Sequence, residues 1–210
     1  ETAPIYTPNG PAWDDWNDLP GQATDGDEVF RLEQARGNWD PEEADKARGE
    51  LQDFLYKWAV VLADMVEFMS SNERDLILQL MQHTETWLEG EGDRASPGVF
   101  REKLAHLQKI TSIVEERKEE FEGRGPALTS LREQVRILKQ ALATVSGGKE
   151  DSLEKAREAF KAGEECIKVQ VPKQEALQKY EDPILTLAYI KMLRDKLRVS
   201  IGELTVHQNG

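Results

Sequence analysis

The stretch that most constrains the fold of this chain is SSNERDLILQLMQHTETWLEGEG, residues 70 to 92. Six apolar or weakly polar side chains in it recur at steps of three and four residues: Ile77, Leu80, Met81, Thr84, Trp87 and Leu88. Residues with this spacing share one face of a helix. Gly90 and Gly92 follow, and we expect them to end the helix in the left-handed backbone conformation that glycine adopts readily. The stretch therefore predicts one amphipathic helix that buries a single face against other helices.

A longer amphipathic helix is predicted before this one. Asp40 is suited to cap a helix N-terminus and Pro41 fits the first helical position, while apolar residues recur at helical spacing as far as Met69. Gly49 interrupts the stretch, but glycine costs only about 1 kcal/mol relative to alanine inside a helix. An unbroken helix of this extent is roughly 45 Å long at 1.5 Å per residue. We therefore expect its first half to project away from the rest of the protein.

Four more helices are predicted after Gly92. The third covers residues 97 to 122 and the fourth residues 128 to 145, separated by glycines and Pro126. A fifth covers residues 151 to 171 and ends at Pro172, and a sixth begins at Asp182 and Pro183, again a capping residue followed by proline. We expect the sixth helix to bury Leu185, Ala188, Met192 and Leu197.

The fold class predicted by these patterns is all-α, because no segment alternates between apolar and polar residues for long enough to indicate a strand. A long N-terminal helix is expected to lead into an antiparallel bundle of about six helices, in one domain covering residues 39 to 210. The short connections between helices favour antiparallel neighbours. The predicted structural core comprises Trp58, Trp87, Leu88, Phe100, Leu104, Leu131 and Leu138.

Residues 1 to 38 differ from the rest, since four prolines, several glycines and many aspartates occur there without a sustained period. We interpret this segment as an extended or disordered acidic arm or linker. Trp13, Trp16 and Leu19 nevertheless lie three residues apart. They leave open a short helix that docks in a groove of its own chain or of another.

The charge of the chain restricts its partners. A net charge of −13, with 40 acidic residues and no basic cluster, argues against nucleic acid and anionic membrane surfaces as partners. The longest apolar run, from Trp58 to Ala63, is much too short to span a membrane.

Catalytic chemistry is not indicated by the sequence. Phosphate-binding loops, dinucleotide-binding glycine motifs and nucleophile elbows are all absent. Glu102 precedes His106 by four residues and Glu203 precedes His207 likewise, but such pairs arise by chance in so acidic a chain. Cys166 is the only cysteine, and its apolar neighbours predict packing rather than nucleophilic chemistry. We therefore expect no catalytic residue, metal or cofactor, and a chain that is not an enzyme by its own residues.

Three segments carry a resemblance to a known family. FMSSNERDLILQLMQHTETWLEGEGD, FREKLAHLQKI and KYEDPILTLAYIKMLRDKL resemble the helical C-terminal lid of the heat shock protein 70 superfamily. The similarity is greater to its large branch, the 110-kDa heat shock proteins and the 170-kDa glucose-regulated proteins of the endoplasmic reticulum. The stretch from Thr84 to Gly92 resembles the tryptophan–leucine turn of that branch, with acidic and glycine residues after it.

The resemblance implies a stress-response chaperone whose ATP-binding and peptide-binding domains lie upstream. Proteins of the large branch promote nucleotide exchange on a partner heat shock protein 70, by contacting its nucleotide-binding domain, and hold unfolded polypeptides. The resemblance assigns Gln82 and Glu85 to the partner contact, and implies a cytoplasmic location or, alternatively, the lumen of the endoplasmic reticulum. Two alternatives remain open: an ordinary heat shock protein 70 lid over its own peptide groove, and a scaffolding bundle with no chaperone role.

Overall fold

The computed structural model describes residues 40–145 and 150–206, and these residues form helices and connecting turns without a strand. The predicted all-α class and long N-terminal helix are confirmed. The predicted arm at residues 1 to 38 lies outside the described residues. The α-helices are α1 (Pro41–Met65), α2 (Ser71–Glu89), α3 (Pro97–Thr144), α4 (Glu150–Glu165), α5 (Val171–Glu175) and α6 (Leu187–Val206).

Three short elements connect these helices. A 3₁₀ turn, Val66–Phe68, follows α1, and another, Glu91–Arg94, follows α2. A π-helical turn, Cys166–Gln170, joins α4 to α5. None of the described helices combines the length and the apolar character needed to cross a membrane.

The chain divides into two compact units. The first contains residues 40–64 and 71–111, and the second contains residues 65–70 together with the described residues from 112 onward. The long helix α3 thus supplies its first turns to one unit and its remainder to the other. The prediction of one domain from residue 39 to 210 stays a prediction.

The N-terminal half of α1 is packed, where the sequence predicts a projecting helix. The backbone N–H of Glu42 donates to the Asp40 carboxylate at 3.0 Å, which is the predicted cap. Ala44, Ala47 and Leu51 are buried in the first unit. This half of α1 is also tied to α3, since Nη2 of Arg101 donates to the Glu43 carboxylate at 2.6 Å. The helix also ends earlier than predicted, at Met65.

Helix α3 continues through residues 123 to 126, where the sequence predicts a break between two helices. Pro126 removes the hydrogen bond that would reach the carbonyl of Glu122. Both residues are exposed, so water can satisfy this carbonyl at little cost. Gly123 has a packing role instead, since an added β-carbon would lie 2.6 Å from Cδ1 of Leu187.

The helix that begins at Glu150 also continues past its predicted end at Pro172. The backbone N–H of Val171 donates to the carbonyl of Cys166, five residues earlier, which is the hydrogen bond of a π-turn. Pro172 then occupies the first turn of α5, where a backbone N–H is dispensable.

The last helix begins at Leu187, later than the predicted Asp182–Pro183 start. The carboxylate of Glu120 accepts the N–H of Leu187 at 2.8 Å, so a side chain from α3 caps α6. Leu185 and Leu197 are buried as predicted, whereas Met192 is 54% exposed and Ala188 is also exposed. The later start explains this error, because the buried face of α6 is carried by Ile190, Leu193, Leu197, Ser200 and Leu204.

Most of the predicted core residues are buried. Trp58, Trp87, Leu88 and Phe100 lie in the first unit, and Leu131 and Leu138 lie in the core of the second. Leu104 is only half-buried, contrary to the prediction. The buried positions on that part of α3 belong to its neighbours Lys103 and Leu107.

Candidate functional site

The two partner-contact residues lie on the exposed face of α2. The six residues predicted for the buried stripe of this helix are its six buried residues, so the opposite face is left to solvent. Gln82 and Glu85 are both exposed and lie one helical turn apart. Exposed side chains around them extend the surface, which we name the α2 face: Asp75, Leu78, Gln79, Gln82, Glu85 and Glu89.

The α2 face is acidic and polar, with one apolar residue. Asp75, Glu85 and Glu89 supply three carboxylates, and Arg74 bridges to Asp75 at 3.3 Å beside the face. Leu78 is 43% exposed and was not predicted as part of the site. The sequence could have identified Leu78 as part of the site, because it lies one helical turn before Gln82 and therefore on the same face.

Trp87 anchors the buried side of α2. Its ring meets that of Phe100 on α3 in an edge-to-face arrangement, with centroids 5.5 Å apart and planes at 66°. Gly92 lies against the same indole, since an added β-carbon would be 3.0 Å from two ring carbons and 2.9 Å from the Trp87 carbonyl oxygen. The turn after α2 therefore packs directly against the side chain of Trp87.

The two glycines after α2 do not adopt the predicted left-handed conformation. Gly90 has φ −119° and ψ −98°, and Gly92 also lies outside the left-handed region. The prediction was wrong because a 3₁₀ turn replaces the expected helix-ending geometry. Gly92 is needed for the close approach of the Trp87 ring rather than for its backbone freedom.

A buried lysine was missed by the sequence analysis. Lys103 is 4% exposed, and its Nζ lies 4.4 Å from the centroid of the Trp87 ring, a cation–π contact. Burial lowers the pKa of Lys103, partly opposed by the carboxylates of Glu102 and Glu91. Lysine side chains are ordinarily exposed, so the sequence did not indicate that this one is buried, although it lies among the apolar positions of its helix.

Arg48 fixes the end of α2 to α1. Its Nη1 donates to Asp93 at 3.1 Å and its Nη2 donates to the carbonyl of Leu88 at 3.2 Å. A cation that binds one of the last carbonyls of a helix also complements the negative end of its dipole. The α2 face is thus carried on a helix held on its opposite side by Trp87 and at its end by Arg48.

Metal-binding and thiol chemistry find no support in the described part of the chain. No cluster of three or more potential metal ligands occurs among residues 40–145 and 150–206. Glu102 is exposed and His106 half-buried, and His207 of the second pair lies outside the described residues. Cys166 is buried, and burial raises the pKa of its thiol, which disfavours the nucleophilic thiolate.

Comparison with known proteins finds heat shock proteins. The 97 kDa heat shock protein of Mesocentrotus franciscanus is 26% identical over 157 residues, covering 71% of this chain and 18% of that protein. Heat shock 70 kDa protein 15 of Arabidopsis thaliana is 28% identical over 163 residues, covering 74% and 19%. Heat shock protein 110 of Caenorhabditis elegans is 27% identical over 103 residues, covering 49% and 13%. No family model matches the chain, and no solved structure matches it.

These relatives and the fold define the class, an all-helical region related to heat shock proteins of the 70-kDa superfamily. The predicted relationship to the large branch is confirmed. The chain spans about a fifth of the length of the first two of these relatives.

Proposed function

We propose that this chain is the helical lid region of a large chaperone, which promotes nucleotide exchange on a partner heat shock protein 70 and holds unfolded polypeptides in the cytoplasm. The observation that carries the proposal is the exposed acidic α2 face, within a region related to large heat shock proteins. In this account the chain supplies a binding surface rather than catalytic groups.

Gln82 and Glu85 form the centre of the proposed contact with the nucleotide-binding domain of the partner. The Gln82 amide can both donate and accept hydrogen bonds, and the Glu85 carboxylate can pair with a basic side chain. Leu78 adds apolar area one turn away. Charged contacts of this kind mainly set the association rate and the choice of partner, so charge reversal weakens the complex.

The proposal is tested by charge reversal in a protein that carries this region together with ATP-binding and peptide-binding domains. The variant Gln82→Lys with Glu85→Lys is compared with unaltered protein for the rate of ADP release from the partner chaperone. We expect release to slow toward the uncatalysed rate. Both residues are off the buried stripe, so the free energy of unfolding is expected to change by no more than about 0.5 kcal/mol.

A matched control is available on α1. Gln52→Lys with Asp53→Lys changes two adjacent exposed helix residues and alters the net charge by the same amount. This control is expected to leave ADP release unchanged, and circular dichroism verifies that both variants remain helical. Unimpaired release with the α2 variant would remove the α2 face from the contact. An ordinary lid or a scaffolding bundle would then remain.

A further inference from the structure

A groove lies within the second unit, between α3 and an opposite wall formed by the end of α5 and the segment that follows it. Its volume is about 470 Å³, within the range of sites that enclose small ligands or a few side chains. Phe121 and Leu128 of α3 and Leu177 of the opposite wall supply apolar lining. Phe121 is 43% exposed, so apolar surface is open to solvent there.

The wall opposite α3 is fixed in place by polar contacts. The side-chain oxygen of the buried Gln174 accepts the N–H of Leu185 at 3.0 Å, and Nε of Arg124 donates to the Leu185 carbonyl at 3.1 Å. Nε of Arg117 donates to the Asp182 carboxylate at 3.0 Å. These contacts join the segment to α3 at two places, so the groove is formed before any occupant binds.

Arg124 lines this groove, and the protein engages its guanidinium only in part. Its side chain is 12% exposed, and its Nη2 forms an ion pair with the Glu120 carboxylate at 3.8 Å, too long for a hydrogen bond. The same Glu120 carboxylate accepts the N–H of Leu187 at 2.8 Å. Within the described residues, the two terminal nitrogens of Arg124 therefore make no hydrogen bond. Burial also lowers the pKa of Arg124, as expected for a partly desolvated cation.

Three glutamates also line the groove: Glu122, Glu175 and Glu181. Glu175 is exposed, and the other two are engaged with neighbouring groups. Glu122 bridges to Lys118 at 2.8 Å, and Glu181 accepts the N–H of Gln178 at 2.6 Å. A guanidinium of low exposure beside apolar surface is a strong site for a carboxylate, because two parallel N–H donors match its two oxygens.

We propose that the groove binds a polypeptide segment that carries a carboxylate beside a large apolar side chain. Arg124 binds the carboxylate, and Phe121 with Leu128 contacts the apolar side chain. This inference deepens the holding of polypeptides in the proposed function by naming the chemistry of the bound segment. It does not involve the α2 face.

The probe is a fluorescein-labelled peptide with the sequence of residues 11 to 21, PAWDDWNDLPG, which combines tryptophan with aspartate. The titrated protein is the full chain with Trp13→Ala and Trp16→Ala and with Asp14→Asn, Asp15→Asn and Asp18→Asn. Its own copy of the sequence then lacks both the tryptophans and the carboxylates that would compete with the peptide. We expect saturable binding by fluorescence anisotropy. A peptide with all three aspartates changed to asparagine should bind about tenfold more weakly, since hydrogen bonds to charged groups have this magnitude.

The variant Arg124→Gln is expected to bind the aspartate and asparagine peptides equally. Arg136→Gln is the matched control, because this exposed arginine of α3 pairs with Glu133 and does not line the groove. It should preserve the tenfold ratio.

Equal affinity of the aspartate and asparagine peptides for protein that retains Arg124 would overturn the proposal. This comparison does not depend on whether the Arg124→Gln variant folds. A ratio preserved in folded Arg124→Gln would overturn it also. Failure of either kind leaves the α2 exchange test unaffected, so the two proposals fail separately.

Discussion

Trp87 and Gly92 pack closely together, because the indole ring of the tryptophan occupies the space that a side chain at residue 92 would enter. A β-carbon at residue 92 would lie 3.0 Å from Cε3 and Cζ3 of the ring. Phe100 and the Nζ of Lys103 also contact this ring. This packing determines how the turn after α2 closes, and through α2 it positions the exposed face that carries Gln82 and Glu85.

Gly92→Ala is expected to destabilise the protein by about 1–3 kcal/mol, the usual cost of forcing an extra methyl group into a packed site. Urea unfolding measures the change. Gly49→Ala is the control, and its effect on stability should have the opposite sign. Gly49 lies within α1, and an added β-carbon there would meet no atom within 4 Å. That change should stabilise by about 0.5–1 kcal/mol. Equal effects of the two substitutions would contradict the close contact.

Trp87→Ala should cost about 3–5 kcal/mol, as expected for removing a large buried aromatic residue. Thermal unfolding followed by circular dichroism detects the loss. A shift of less than a few degrees would mean that Trp87 does not anchor α2.

The buried position of Lys103 leads us to expect that the stability of the protein rises with pH in the alkaline range. Its pKa is lowered in the folded state by burial, so the unfolded chain binds this proton more strongly. Stability should therefore rise with pH between the folded pKa and the ordinary lysine value of about 10.4. Urea unfolding at pH 7 and pH 10 is compared for the unaltered protein and Lys103→Met.

The difference in stability between the two proteins isolates the lysine from other titrating groups. Lys103→Met should be the more stable at pH 7, and this advantage should shrink toward pH 10, because the lowered pKa lets the folded protein lose the buried charge before the unfolded chain does. A difference that does not change with pH would show that Lys103 has an unperturbed pKa.

Gln174→Ala is expected to destabilise the second unit by about 1–3 kcal/mol, because the N–H of Leu185 loses its buried acceptor. Hydrogen exchange should show faster exchange at Leu185 and its neighbours. Gln178→Ala removes a glutamine from an exposed position of the same segment and should have little effect. Unchanged exchange in Gln174→Ala would mean that the segment is held by other contacts.

Local sequence signals predicted much of the first unit. The Asp40 cap and the whole buried stripe of α2 follow from chemistry within one or two helical turns. A strong helical period with clear ends leaves few alternative arrangements, so the exposed positions of Gln82 and Glu85 followed as well.

The errors arose at two prolines that the helices accommodate locally, and at places where distant residues decide the local structure. Pro126 is tolerated within α3 because it is exposed, and Pro172 because a π-turn precedes it. The start of α6 depends on Glu120, which is 67 residues away in sequence from the N–H that it accepts. Arg124 and its groove were missed for the same reason, since the opposite wall comes from a distant segment.

We propose that this region binds the nucleotide-binding domain of a partner heat shock protein 70 through the α2 face. Isothermal titration of the chain into that isolated domain tests it most directly, with the Gln82→Lys and Glu85→Lys double variant and the α1 control alongside. We expect saturable binding, with an affinity that the α1 control retains and that falls at least tenfold in the α2 variant. Absence of binding, or equal binding by the α2 variant and the unaltered chain, would contradict it.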